Sequence, residues 1–176
     1  MWRFLILTKG NLFLKRPDII PKKIVTLEGL LPTIAQLHFL GKKISFTNGV
    51  FDILHPGHIF SLSQAAKEAD YFVVGINSDN SVKRLKGTGR PINKQESRAL
   101  LIAALLMVDA VIIFEEDTPL ELITALRPDV LVKGSDYTME QIVGAKEVIA
   151  NGGRVVINPI IEGFSTTGII EKLKTP

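Results

Sequence analysis

The sequence predicts an α/β protein built on an open, parallel, five-stranded sheet with helices on both faces. Two observations carry this reading. From Lys42 onward, short apolar runs alternate with longer segments whose apolar residues recur at helical spacing. The first, second and fourth runs also end in small polar residues: Thr47-Asn48, Asn77-Ser78-Asp79 and Gly134-Ser135-Asp136. Alternating strands and helices need crossover connections, which join parallel strands with one hand. Every strand then points its C-terminal end at one edge, where open sheets of this kind bind ligands.

The elements follow in order. Met1 to Pro21 is apolar with Arg3, Lys9 and Lys15 interspersed, and reads as an appendage, an oligomer contact or a disordered segment. It lacks the long apolar stretch and small-residue cleavage site of a signal peptide. Leu27 to Leu40 suits a helix, so residues 1–40 read as a partly helical N-terminal extension and 41–176 as the main domain. Ile44 to Thr47 is the first strand, and His58 to Ala69 a helix with Ile59, Leu62, Ala65, Ala66 and Ala69 on one face. Tyr71 to Ile76 is the second strand, followed by a basic, glycine-containing loop and a helix over Gln95 to Val108. Ala110 to Phe114 is the third strand. Asp117-Thr118-Pro119 signals a helix start, with Pro119 near the first helical position, and Leu120 to Leu126 completes that helix. Val130 to Lys133, a helix over Met139 to Ala150 ended by Asn151-Gly152-Gly153, and a strand over Arg154 to Ile157 come next. The last helix is Ser165 to Lys172, capped by Ser165 or Thr166.

Bulk properties narrow the function classes. A chain of 176 residues suits one domain with one core, and 46% hydrophobic with 22% charged residues suits a globular one. With no cysteine, disulfides and thiolate metal sites are excluded, which fits a reducing compartment. The near-continuous apolar stretch from Ala99 to Phe114 is broken by Asp109 and too short to span a bilayer, so the expected location is the cytoplasm, with no membrane partner. The net charge of +3 is small. Its main basic cluster, Lys83, Arg84, Lys86 and Arg90 around Gly87 and Gly89, suits a polyphosphate; no aromatics interleave with it for stacking nucleic-acid bases.

The chemistry concentrates between the first strand and the following helix, in Thr47-Asn48-Gly49-Val50-Phe51-Asp52-Ile53-Leu54-His55-Pro56-Gly57-His58. Pro56 disfavours helical geometry at His55, which places His55 in the turn, and His58 opens the helix. Gly57 lets backbone approach a ligand closely. Both imidazoles then lie near a helix N-terminus, where free N–H groups and the helix dipole favour phosphate. Fixed donors there stabilise the charge that grows on phosphoryl oxygens in a transition state. A zinc site is the rival reading. It would need His38, remote in sequence, and Asp52 is the only acid nearby.

The run Gly49 to His58 resembles the HxGH motif of the nucleotidyltransferase superfamily, and Ser165-Thr166-Thr167 after Glu162-Gly163 resembles its second signature. The similarity extends from about Ile44 to the C-terminus. Within the superfamily the segments are most similar to the adenylyltransferase domain that makes ADP-heptose. They are Phe46 to Gly49, Asn77 to Asp79, Ser81 to Gly87, Gly89 to Pro91, Phe114 to Pro119, Leu131 to Tyr137 and Gly152-Gly153. The sequence departs from that pattern at Val50, commonly Cys, and at Ser135, commonly Gly.

The resemblance implies a Rossmann-like fold and transfer of AMP from ATP to a sugar 1-phosphate, D-glycero-β-D-manno-heptose 1-phosphate, giving ADP-heptose and pyrophosphate for lipopolysaccharide core biosynthesis. It implies catalytic roles for His55, His58 and Lys86. Thr47, Asn48, Gly49, Phe51, Gly57, Arg90, Lys133, Gly134, Asp136, Ser165, Thr166 and Thr167 are expected on the nucleotide. Asp52, Asn77, Asp79 and Lys83 are expected toward the sugar phosphate, although Asp52 also suits a structural turn. Arg98 reads either as a phosphate ligand or as a solvated helix residue. Mg2+ is expected with ATP and no dedicated metal ligands are assigned. Expected partners are ATP, the sugar phosphate, a second copy in a homodimer and a separate heptose-phosphate kinase, with no nucleic acid. One alternative is a cytidylyltransferase acting on glycerol 3-phosphate or a similar small polyol phosphate. Those enzymes carry Arg where Ile160 stands and an apolar residue where Lys133 stands, which favours the adenylyl branch. A non-catalytic nucleotide-binding module is the second alternative.

Overall fold

A computed structural model describes residues 17–135, 138–159 and 163–174. Five strands, β1 (Ile44–Gly49), β2 (Tyr71–Asn77), β3 (Ala110–Phe114), β4 (Val130–Gly134) and β5 (Arg154–Asn158), form one sheet in the order β3-β2-β1-β4-β5. All four pairings are parallel. The order reverses between β1 and β4, which opens a crevice at their C-terminal ends.

Side chains alternate strictly across the sheet. Ile44, Phe46, Val73, Ala110, Ile112, Phe114 and Leu131 face one core, where α1 (Leu27–Phe39), α5 (Leu120–Leu126) and α6 (Ala145–Ala150) bring Leu30, Ile34, Leu122, Ile123, Leu126 and Val148. Phe72, Val74, Ile76, Val111, Val130 and Val132 face the other core, where α2 (Pro56–Ala66) and α4 (Gln95–Ala103) bring Leu62, Ala65, Ala99, Ile102 and Ala103. This is why the strands read as continuous apolar runs: a parallel sheet buries both faces. The described part of the segment set apart as an extension belongs to this body. Leu30 and Ile34 of α1 are buried in the first core, and Val25 N–H donates to the Val111 carbonyl on the edge of β3.

The structure corrects several boundaries. The helix expected from His58 starts at Pro56, because proline is preset for the first helical position, and His55 caps it. Helix α5 keeps its expected bounds, with Pro119 as its cap beside the first helical residue. The basic segment expected as a loop is helical in its first half, as α3 (Asp79–Lys86). Ser78 Oγ caps it by accepting the Ser81 N–H at 3.1 Å, the basic residues occupy its last turn, where the dipole favours them, and Gly87 ends it at φ +90°. Helix α4 stops at Ala103, short of Val108, because the chain must turn back for Asp109 N–H to reach the Phe72 carbonyl and start β3. The helix expected over Met139 to Ala150 is broken into a 3-10 turn, Met139–Gln141, and α6. Gly144 breaks it at φ +86°, where a Cβ would lie 2.5 Å from Ile123 Cδ1. The last helix, α7, spans Thr166–Lys174, with Ser165 Oγ accepting the Gly168 N–H at 2.9 Å as its cap.

Candidate active site

The turn from β1 into α2 sets the two histidines against each other. His55 caps α2: its Nδ1 accepts the His58 N–H at 3.3 Å. An imidazole nitrogen that accepts carries no proton, so neutral His55 holds its proton on Nε2. The His55 and His58 rings stack with centroids 3.7 Å apart and planes 18° from parallel. Gly57 permits this, because a Cβ there would lie 3.1 Å from His55 Nδ1 and 3.2 Å from Phe164 Cβ. Burial lowers the pKa of His55. It lowers that of His58 to about 4, with repulsion from His55 adding to burial and the Ile53 carbonyl opposing both. Both rings are therefore neutral near pH 7. His58 Nδ1 is buried and, among the described residues, has no hydrogen-bond partner, so the part of the ring that reaches the cleft lies away from Nδ1.

Two clefts meet at this pair. One, of about 540 Å³, runs along the ends of β1, β2 and β4 and is lined by Thr47, Asn48, Gly49, Phe51, His58, Asn77, Lys86, Lys133 and Gly134. The other, of about 420 Å³, is lined by His55, Gly57, His58, Lys86, Arg90, Gly134, Phe164, Thr166 and Thr167. His58, Lys86, Gly134, Ser61, Val50 and Phe51 belong to both. Residues from loops far apart in sequence thus converge on one double cleft, as strand-end geometry requires. Lys133 Nζ donates to Asn48 Oδ1 across the β1–β4 crevice, and Thr47 Oγ1 donates to the Val132 carbonyl at 2.9 Å.

Of the four residues expected toward the sugar phosphate, Asp79 and Lys83 line neither cleft, while Asp52 borders the second and Asn77 the first. Asp52 is 1% exposed and its carboxylate is taken up by the protein. It accepts the Asn93 N–H at 2.7 Å, the Ile92 N–H at 2.8 Å and Arg90 Nε at 2.8 Å. The alternative turn-holding role is the one its bonds describe. The Asp79 carboxylate accepts Arg98 Nη2 at 2.8 Å and lines neither cleft, because Arg98 needs a counter-charge there. Lys83 is exposed on α3 and lines neither cleft; of the two lysines there, both exposed, it is Lys86 that lines the clefts. Asn77 does line the first cleft, with its Nδ2 on Ser81 Oγ at 3.0 Å. Ser165 spends its hydroxyl on the cap of α7, while Thr166 and Thr167 face the second cleft. Asp136 and Ile160 lie outside the described residues.

Arg98 corrects both readings made of it. It is fully buried and touches no cleft; Nε donates to the Asn93 carbonyl, Nη1 to the Val50 carbonyl and Nη2 to the Asn77 carbonyl and Asp79. One guanidinium thereby ties together three of the loops around the site. Sequence reasoning also left unassigned part of the first cleft, namely Leu85, Asp117, Thr118, Pro119, Gln141 and Val143. Asp117 to Pro119 follow the end of β3, so their place at a strand end was the available signal; Gln141 and Val143 arrive only through the break at Gly144.

A parallel sheet with neutral paired histidines at a helix N-terminus beside its crossover point is the arrangement of an α/β nucleotide- and phosphate-binding domain. A cytidylyltransferase-like family profile matches residues 46–172. The chain belongs to that cytidylyltransferase-like family. It is 58% identical over 153 residues to the bifunctional protein HldE of Hyphomonas neptunium, covering 84% of this chain and 32% of that protein. It is 55% identical over 150 residues to the HldE of Koribacter versatilis, covering 85% and 31%. The chain therefore spans about a third of the length of these curated relatives. Among solved structures, the lipopolysaccharide core biosynthesis protein from Thermoplasma volcanium is 30% identical, with a TM-score of 0.57, covering 69% of this chain and 98% of that one. No helix among the described residues is long and apolar enough to cross a membrane.

Proposed function

We propose that this chain transfers AMP from ATP to a sugar 1-phosphate, D-glycero-β-D-manno-heptose 1-phosphate, producing ADP-heptose and pyrophosphate. The observation that carries the reading is the His55–His58 stack between two clefts, with His58 and Lys86 lining both and His55 the second. A reaction between two phosphorylated substrates needs such a wall. The relatives named HldE and the lipopolysaccharide core biosynthesis protein support the pathway, which belongs in the cytoplasm, where ATP is available.

A sugar 1-phosphate with a second pKa near ~6 is largely a dianion at neutral pH, so it needs no general base. Its phosphate oxygen attacks the α-phosphorus of ATP in line; the new P–O bond forms as the bond from the α-phosphorus to its bridging oxygen breaks, and pyrophosphate leaves with that electron pair. The protein supplies alignment and charge neutralisation. His55 and His58 donate to the α- and β-phosphates from neutral rings. Lys86, assisted by Arg90, neutralises the transferring and leaving groups. Arg90 is aimed by Asp52, which takes its Nε. Thr166, Thr167 and Gly57 face the triphosphate lobe, while Thr47, Asn48, Gly49, Phe51, Lys133 and Gly134 border the nucleoside, and Asn77 faces the sugar.

Mg2+ arrives with ATP as part of the substrate. Among the described residues no three acidic or histidine side chains converge, and the carboxylates that line the clefts are engaged: Asp52 as above and Asp117 on Arg84 at 2.7 Å. Phosphate oxygens of the triphosphate would supply its main ligands. A homodimer and a heptose-phosphate kinase activity acting upstream complete the proposal.

The test is pyrophosphate release from heptose 1-phosphate with each nucleoside triphosphate, with the product identified by mass. Release with ATP giving ADP-heptose is expected. Release with CTP alone, or with glycerol 3-phosphate in preference to the sugar phosphate, overturns it.

A further inference from the structure

Phe51 carries a backbone strain that the fold goes out of its way to hold. Its φ is +49°, in the left-handed region that a bulky side chain rarely adopts. Both neighbours are fixed from outside the turn. The Val50 carbonyl accepts Arg98 Nη1 at 2.7 Å, and the Asp52 carboxylate is locked onto the Ile92 and Asn93 N–H groups. Such strain persists only where its surroundings over-determine it, and it concentrates at functional sites.

The strained turn has one visible consequence. It places the Phe51 ring edge-on to His58, with centroids 5.3 Å apart and planes 67° from parallel. Gly49 makes room for that ring: a Cβ at residue 49 would lie 3.0 Å from both Cε2 and Cζ of Phe51. His55 stacks on His58 at 3.7 Å. The His58 imidazole is therefore held between a stacked ring and an edge-on ring; its buried Nδ1 makes no hydrogen bond among the described residues, and the Ile53 carbonyl is the polar group that acts on the ring. The two packed rings therefore contribute to its orientation.

We propose that Phe51 is a positioning residue for His58: the left-handed turn, held by Arg98 and Asp52, aims the Phe51 ring against that imidazole and fixes its direction in the wall between the two clefts. The kinetic part of this inference rests on the adenylyl-transfer reading given above; the part concerning His58 itself does not. Cleft-lining by Phe51 would alternatively make it a contact for the nucleoside, and the two roles part in their kinetics.

The experiment compares Phe51→Ala, Phe51→Gly and Phe51→Tyr in the full chain. Both ring deletions are expected to lower kcat about tenfold or more, with the KM for ATP within about threefold of the parent, and Phe51→Tyr to restore most of the rate. Phe51→Gly should melt at a higher temperature than Phe51→Ala, because glycine relieves the positive φ, yet show the same loss of kcat. Titration of the His58 ring by NMR, without substrates, should move upward in both deletions, since the ring that helps bury it is gone. A rise in the KM for ATP at unchanged kcat, a rate loss that follows melting temperature, or an unmoved His58 titration overturns the proposal. If the parent protein shows no transfer with ATP and heptose 1-phosphate, the functional reading fails and the NMR and melting comparisons still decide the role of Phe51.

Discussion

Asp52 and Arg98 hold Asn93 from two sides: Asp52 Oδ1 accepts its N–H at 2.7 Å, and Arg98 Nε donates to its carbonyl at 3.0 Å. The loop that carries Arg90 into the second cleft is thereby fastened at its far end to both the β1–α2 turn and α4. Arg98 is fully buried, with Asp79 as its ion-pair partner. Arg98→Met should cost about 3–5 kcal/mol, the range for removing one partner of a buried pair, since it leaves the Asp79 carboxylate and three carbonyls without their donor. Arg98→Lys should recover only part of this, because an ammonium cannot span acceptors on three loops. Urea denaturation measures both; a midpoint near that of the parent for Arg98→Met would remove Arg98 from its place as the common brace.

The histidine pair makes a separate prediction about catalysis. If the rings act on charge that develops in the transition state, His58→Ala should lower kcat by roughly 100- to 1000-fold and leave ATP affinity nearly unchanged. His55→Ala should do the same and in addition cost about 1 kcal/mol of stability, because its Nδ1 caps α2. Equilibrium binding of ATP beside steady-state rates separates the two effects. Parallel losses of affinity and rate would mean ground-state binding instead.

Acid should destabilise this protein through His58. In the unfolded chain the ring takes a proton near pH 6.5, whereas in the folded chain burial and the neighbouring His55 delay protonation to about 4. The unfolded state thus binds more protons between those values. The stability is complete above pH 6.5 and is lost as pH falls through about 4. Allowing for the partial exposure of the ring, the loss is about 2 kcal/mol. His58→Gln should flatten the stability profile over that window. An unchanged slope would place the acid sensitivity on other groups.

The fold was legible because a doubly covered parallel sheet writes itself as apolar runs, and because its strand ends are marked by polar residues. Thr47, Asn77 and Gly134 all reach the cleft by that logic. Side-chain commitments were not legible. Asp52 and Asp79 look like free acids beside a ligand site, and only the structure shows Arg90, Arg98 and two backbone N–H groups filling them. Arg98 misled for a related reason: its neighbours Ser97 and Glu96 make the helix start look solvated, while its contacts come from residues 5 to 48 positions away. Gly144 was read through as helix because glycine within an apolar helical pattern does not announce a positive φ.

Gly57 offers the sharpest separation of local preference from site geometry. It is the second residue of α2, where alanine is intrinsically better than glycine by up to about 1 kcal/mol. A methyl group there would nevertheless lie 3.1 Å from His55 Nδ1 and 3.2 Å from His55 Cε1, and 3.2 Å from Phe164 Cβ. The imidazole is the softer neighbour, because it can rotate about its side-chain bonds while His58 N–H keeps its bond to the His55 carbonyl at 2.9 Å. Gly57→Ala should therefore leave stability within about 1 kcal/mol of the parent, displace the His55 ring from its stack on His58, and lower kcat about tenfold. Thermal melting and turnover, measured on the same preparation, test the two halves together. A fully active variant would show that the pair tolerates a moved His55, and the catalytic weight would then rest on His58 and Lys86.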